Sequence, residues 1–181
     1  MRAFFSNAAN HENICEKLRA SSLQCAQCEE TSVSPHSPGA IRNDEALARQ
    51  IFSPHQINPD TGEPNAAAFT DAEKIGMSVD RLPVCGILSV HRRGSEKQAA
   101  DRERKTRTDI DYLGFIASTC GAIRSLLDEK GERQFVVLDT ATTANTAHAD
   151  VCHMRFKDTK AKKDARTALM SVFGKLQCPT A

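Results

Sequence analysis

Between Arg49 and Leu82 the chain carries two short apolar runs separated by its strongest turn signal. Ile51-Phe52 is halted by Pro54, whose ring disfavours the helical conformation in the residue before it, so Ser53 is extended. In Asn58-Pro-Asp-Thr-Gly62 the proline can preset the second turn position and the glycine can supply a positive φ. Asn65 to Phe69 is a short continuation. Met77-Ser-Val-Asp-Arg-Leu82 then alternates with period two, which predicts a strand with Met77 and Val79 on one face and Ser78 and Asp80 on the other. Upstream, Asp44 to Gln50 reads as a helical turn or as the approach to a first strand.

The remaining runs are also short. Val84 to Val90 predicts a strand, placed at an edge or in a loop because Pro83 precedes it. Strands are further expected near 111–116, 134–139 and 147–155, and a helix over Gly121–Lys130 that stops at Gly131. Phe135 to Leu138 is the clearest buried strand. From Asp158, a good helix cap, Ala165, Leu169, Val172, Phe173 and Leu176 recur at helical spacing. Strands and helices in irregular order, without a βαβ repeat, predict an α+β fold: a small mixed sheet with a C-terminal amphipathic helix.

Residues 1–40 read as an extension: a thin helical stripe, then a linker where two prolines, a glycine and several serines follow one another. A single α+β domain is expected over 41–181. The extension holds His11-x3-Cys15 and Cys25-x2-Cys28, and zinc favours four such N/S ligands. Zinc at His11, Cys15, Cys25 and Cys28 is one reading and incidental cysteines the other, because no second Cys-x2-Cys pair follows. Seven cysteines, an odd number at irregular spacing, fit reduced thiols better than a disulfide framework. With no export signal and no apolar run approaching a membrane span, the expectation is a cytoplasmic protein with no membrane association. A net charge of +1 excludes a global attraction to nucleic acid or anionic lipid, so any such binding needs a local patch.

Two such patches exist. Arg92–Arg107 holds seven Lys or Arg against three Asp or Glu, with Arg102, Arg104 and Lys105 as candidate anion contacts; Lys160–Arg166 is the second. A solvated helix explains the same composition. His148 and Asp150 lie two apart on a predicted strand, so both face one way. That spacing suits a base with its orienting carboxylate, two metal ligands, or plain hydrogen-bonding structure. Ser78 and Arg81 are the candidate binding residues, with Arg81 holding an anion. No phosphate-binding glycine loop, dinucleotide fingerprint, His-Glu-x-x-His or Gly-x-Ser-x-Gly is present, which removes most nucleotide-binding, metalloprotease and α/β-hydrolase readings.

Arg49-x-Ile-Phe-Ser-Pro, the Gly62 turn, Ala68-Phe69, Ser78-Val79-x-Arg81 and His148-Ala-Asp-Val151 resemble a family of short bacterial proteins over roughly residues 44–177. The resemblance implies that Phe69, Ser78, Arg81 and His148 belong to one constellation; it implies no activity or cofactor. Three functions stay open. The first is a binding or accessory protein, with a protein partner or an anionic ligand. The second is a small hydrolase or transferase on a phosphate-bearing substrate, using His148, Asp150 and Arg81. The third is nucleic-acid binding through 92–107 and 160–166.

Overall fold

A computed structural model describes residues 12–21, 24–155 and 159–179. Five strands form one sheet: β1 (Ala46–Ser53), β2 (Met77–Arg81), β3 (Asp111–Thr119), β4 (Phe135–Asp139) and β5 (His148–His153), in the order β3-β1-β2-β5-β4. Every neighbouring pair is antiparallel. With its helices this is the expected α+β class with a small sheet and a C-terminal helix.

The main core lies on the sheet face that presents Leu47, Ile51, Met77, Val79, Ile116, Phe135, Val137, Ala149 and Val151. It is covered by a 3-10 segment (Ala66–Glu73), through Ala68, Phe69 and Ala72, and by the C-terminal helix, through Ala165 and Leu169. The expected helical stripe is therefore the buried one, and Phe173 reaches the Phe69 ring at 5.4 Å between centroids. The expected cap, Asp158, lies outside the described residues.

One local reading is corrected, and a second, left open between two alternatives, is decided. Residues 84–90 are not a strand. Leu82–Glu103 is helical, interrupted at Gly86 (φ 70°, ψ 163°), with Pro83 in its first turn. A proline there has no N–H to leave unsatisfied, so it opens a helix as readily as it edges a strand. Further along this helix Gly94 lies against Tyr112, whose ring a Cβ at that position would strike. At Asp44–Gln50 the strand alternative holds: Asp44 and Glu45 lead into β1, which begins at Ala46 and is paired on both sides. Its alternation is hidden by Arg49, which is buried and donates to the carbonyls of Ala68 (3.1 Å) and Ser78 (3.2 Å) while pairing with Asp71 (2.8 Å).

The extension also packs. The helix Ile14–Ala20 (α1) places Ile14, Cys15 and Leu18 beside Val136, Leu138 and Cys152 on the second sheet face. The helix Cys25–Thr31 (α2) lies along β4, which ends the sheet. There Glu29 accepts from the Val137 N–H (2.9 Å) and Ser32 Oγ from the Asp139 N–H (3.1 Å). These contacts occupy outward N–H groups that an open edge would offer to another strand. At the opposite edge Gln177 exchanges backbone hydrogen bonds with Phe115. The helix Leu82–Glu103, α3 in chain order, covers the β3–β1 half of the second face through Val90, Leu82 and Cys85, against Ala48 and Phe115. The helices Cys120–Arg124 (α4) and Thr159–Val172 (α5) complete the fold. None of the described helices is long and apolar enough to cross a membrane.

Candidate functional site

On the second face α1 covers the β5–β4 half and α3 the β3–β1 half, which leaves the polar side chains of β2 and β5 between them. Strand alternation and register decide which these are. Ser78 pairs with Asp150, and Asp80 with His148, all four pointing to this face. A recess of about 200 Å³ opens here, lined by Ile14 of α1, by Thr140 and Thr142 from the loop after β4, and by His148 and Asp150.

Thr140 links the two expected catalytic residues. Its Oγ1 is 2.8 Å from Asp150 Oδ2 and 2.8 Å from His148 Nδ1, while the carboxylate and the ring are 3.9 Å apart. A hydroxyl has one proton, and an ionised carboxylate only accepts. Thr140 therefore donates to Asp150, and the ring contact runs from His148 Nδ1–H to the hydroxyl oxygen. A neutral His148 is thereby held as the Nδ1–H tautomer, which makes Nε2 the acceptor nitrogen of the ring. Ser78 donates to the other oxygen of Asp150 at 3.5 Å. Gly76 comes close beneath: a Cβ there would sit 3.0 Å from the Asp150 carboxyl, and its φ of 91° is one that glycine tolerates.

Asp80, buried across from His148, is paired with the charge of Arg93 of α3 at 2.9 Å and accepts a hydrogen bond from Asn145 at 2.8 Å. The charge facing the recess is thus that of Asp150.

Arg81 is elsewhere. It alternates with Asp80, so its guanidinium enters the opposite face, where Nε and Nη2 bind Glu45 at 2.8 and 2.9 Å. Its Nη1 donates to Ser37 Oγ (3.0 Å), the Gly39 carbonyl (2.8 Å) and Asp139 (3.3 Å). Burial alone would raise the Glu45 carboxyl, but the hydrogen bonds from Arg81 and from the Arg42 N–H outweigh it and hold Glu45 below its ordinary value. Arg81 fastens the Ser37–Gly39 turn to the sheet. The expected constellation therefore divides: Ser78 and His148 share one face, beside Asp150, and Arg81 and Phe69 lie on the other. Thr140, absent from the sequence reading, and Arg93, read there only as part of the 92–107 patch, join the first group. Neither carries a local signal, because each arrives from another element.

Arg102, Arg104 and Lys105 lie at the far end of α3. Of the seven cations in 92–107, four have acidic partners: Arg92 with Glu96, Arg93 with Asp80, Lys97 with Asp101 and Arg102 with Asp111. Arg104, Lys105 and Arg107 form no ion pair among the described residues. In the second patch Lys160 pairs with Asp164 and Arg166 with Glu73.

Of the four proposed zinc ligands, His11 lies outside the described residues. Cys15 is bonded to Cys152, with 5.2 Å between the Cα atoms, which corrects the expectation of reduced thiols throughout. The partners are 137 residues apart, so no local pattern announces them. Cys25 and Cys28 are free thiols on α2. Among the described residues no three His, Cys, Asp or Glu side chains are grouped to hold a metal.

A larger cavity of about 330 Å³ lies beside α2. Its two cations, Arg124 and Arg133, both close on Glu29, at 3.1 and 2.5 Å. The β2–β5 recess is the cavity that brings the expected pair His148 and Asp150 together.

No protein-family model, curated protein or solved structure matches this chain.

Proposed function

We propose that the chain is a binding protein for a small ligand rich in N–H or O–H donors, held in the β2–β5 recess. The observation that carries this is the Asp150–Thr140–His148 relay. It sets a carboxylate and an imidazole whose Nε2 is an acceptor side by side in the lining of one small space. With the Asp80 charge balanced by Arg93, the residual negative charge favours an ammonium or a polyol over an anion. A volume of about 200 Å³ suits a compound of a few heavy atoms. Arg81, the cation for a phosphate-bearing substrate, contributes nothing on this face.

The same relay supports a second reading. An imidazole whose Nδ1–H is fixed by a carboxylate through a hydroxyl is set up to take a proton at Nε2, so a bound hydroxyl or water would meet a general base. In that case the donor ligand is a substrate, and His148, Thr140 and Asp150 act together.

The test uses ring resonances of His148 in an isotope-labelled chain, titrated separately with methylammonium, glycerol and inorganic phosphate. Saturable shifts with methylammonium or glycerol, weakened about tenfold in Asp150→Asn, are the expected result. Saturation by phosphate alone would overturn the proposal and restore the anionic ligand.

A further inference from the structure

Four of the seven cysteines meet at one place in the fold. Cys15 and Cys152 form the disulfide between α1 and β5. Cys28 is buried in the same apolar cluster, against the face that carries Val136 and Leu138, and Cys25 packs on its margin. The cluster is dry. Cys15, Cys28 and Cys152 are each 0% exposed, so a thiol from solution cannot approach the disulfide directly. Cys25 alone is half-buried. Cys25 and Cys28 are three residues apart on α2, which places them one above the other on a single helical face.

We propose that Cys25 and Cys28 form an internal dithiol that exchanges with the Cys15–Cys152 disulfide, carrying electrons between solvent and the buried pair. The exchange balances without an outside reagent. The Cys28 thiolate attacks one sulfur of the disulfide, that S–S bond breaks, and the other sulfur leaves as a thiolate. Cys25 then attacks Cys28 in the mixed disulfide, closes Cys25–Cys28 and releases the second sulfur. The two protons lost by Cys25 and Cys28 end on Cys15 and Cys152. An external dithiol meeting the new disulfide at its Cys25 end reduces it by the same chemistry. Burial pushes the Cys28 thiol up to about 11, so its thiolate is scarce and the internal step is slow. The other three cysteines stand apart: Cys120 in the main core, Cys85 beneath α3 and Cys178 exposed near the C-terminal end.

The deciding measurement follows loss of the Cys15–Cys152 cross-link in the full chain under native conditions with dithiothreitol. Samples are quenched with acid at intervals, alkylated and mapped by peptide mass spectrometry. In Cys25→Ser the loss is expected to slow by about tenfold or more, because the half-buried thiol that relays electrons from solvent has been removed. The same slowing is expected in the wild-type chain when its Cys25 is alkylated beforehand in the folded state, which keeps the test decisive should the variant fold poorly. Loss at the wild-type rate when Cys25 is blocked overturns the proposal and assigns the reduction to opening of α1 instead.

Discussion

Arg81 and Glu45 face each other with two parallel hydrogen bonds, Nε to Oε2 at 2.8 Å and Nη2 to Oε1 at 2.9 Å, both side chains being almost wholly buried. Asp139 shares the same guanidinium. Removing the cation would strand two carboxylates away from water. Arg81→Met is therefore expected to destabilise the fold by about 3–5 kcal/mol, the usual result of breaking a buried pair from one side. Urea unfolding measures this. In folded Arg81→Met, binding of a donor probe at His148 should be unchanged, since Arg81 lies on the other face. Loss of binding without loss of stability would place Arg81 in the site after all.

The packing of α3 on the sheet gives a second expectation. Gly94 lies flat against Tyr112, and a methyl group there would run into the ring. Tyr112 cannot swing away easily, because it is bonded to His91 at 3.0 Å and packed on Phe52 at 5.4 Å between ring centroids. Gly94→Ala gains helix propensity, yet overpacking of this kind outweighs that gain. A net loss of about 1–3 kcal/mol is expected in thermal or denaturant unfolding. A stabilised variant would show that α3 can lift from the sheet without loss.

How much of this was legible beforehand depends on where the signals lay. The β2 and β5 alternations were visible because one face of each strand is largely apolar and the other largely polar, and β4 because Phe135 to Leu138 form an unbroken apolar run. The pairing of His148 with Asp150 followed from spacing alone. β1 was obscured because a buried arginine, satisfied by two carbonyls and a carboxylate, sits where alternation calls for an apolar residue. The run at 84–90 signalled burial but not period: Val90 is buried while Ile87 and Leu88 remain exposed on a helix. Thr140, Arg93 and the Cys15–Cys152 pair are tertiary facts, set by elements far apart in the chain.

His153 introduces a pH dependence. It is buried at the end of β5 against the Phe135 ring, at 4.9 Å between centroids. Burial, reinforced by the Arg19 charge, lowers it to about 4. The unfolded chain then binds the proton first, near pH 6.5, and the folded chain only near pH 4. Stability is full above pH 6.5 and falls as the pH drops toward 4, by about 3 kcal/mol for this one group. The depressed Glu45 acts in the same direction at lower pH. Unfolding free energies at pH 7 and pH 4.5 should differ accordingly, and His153→Phe should reduce the difference by roughly the share of one proton. An equal difference in that variant would assign the acid sensitivity to the carboxylates.

Thr140 provides the sharpest test of the recess. Thr140→Val keeps the shape of the side chain and removes the hydroxyl that connects Asp150 to His148. Without it the carboxylate is 3.9 Å from Nδ1, beyond a good hydrogen bond, and nothing fixes the ring tautomer. Nitrogen chemical shifts of the imidazole should report mainly Nδ1–H in the wild-type chain and a mixture in the variant. Affinity for the donor probe should drop by about tenfold, the value of one oriented hydrogen bond. The position is half-buried, so the fold should survive, with an unfolding free energy lower by about 1 kcal/mol. A variant that keeps the wild-type tautomer would mean that the recess orients His148 by packing alone, and the general-base reading would then lose its carboxylate.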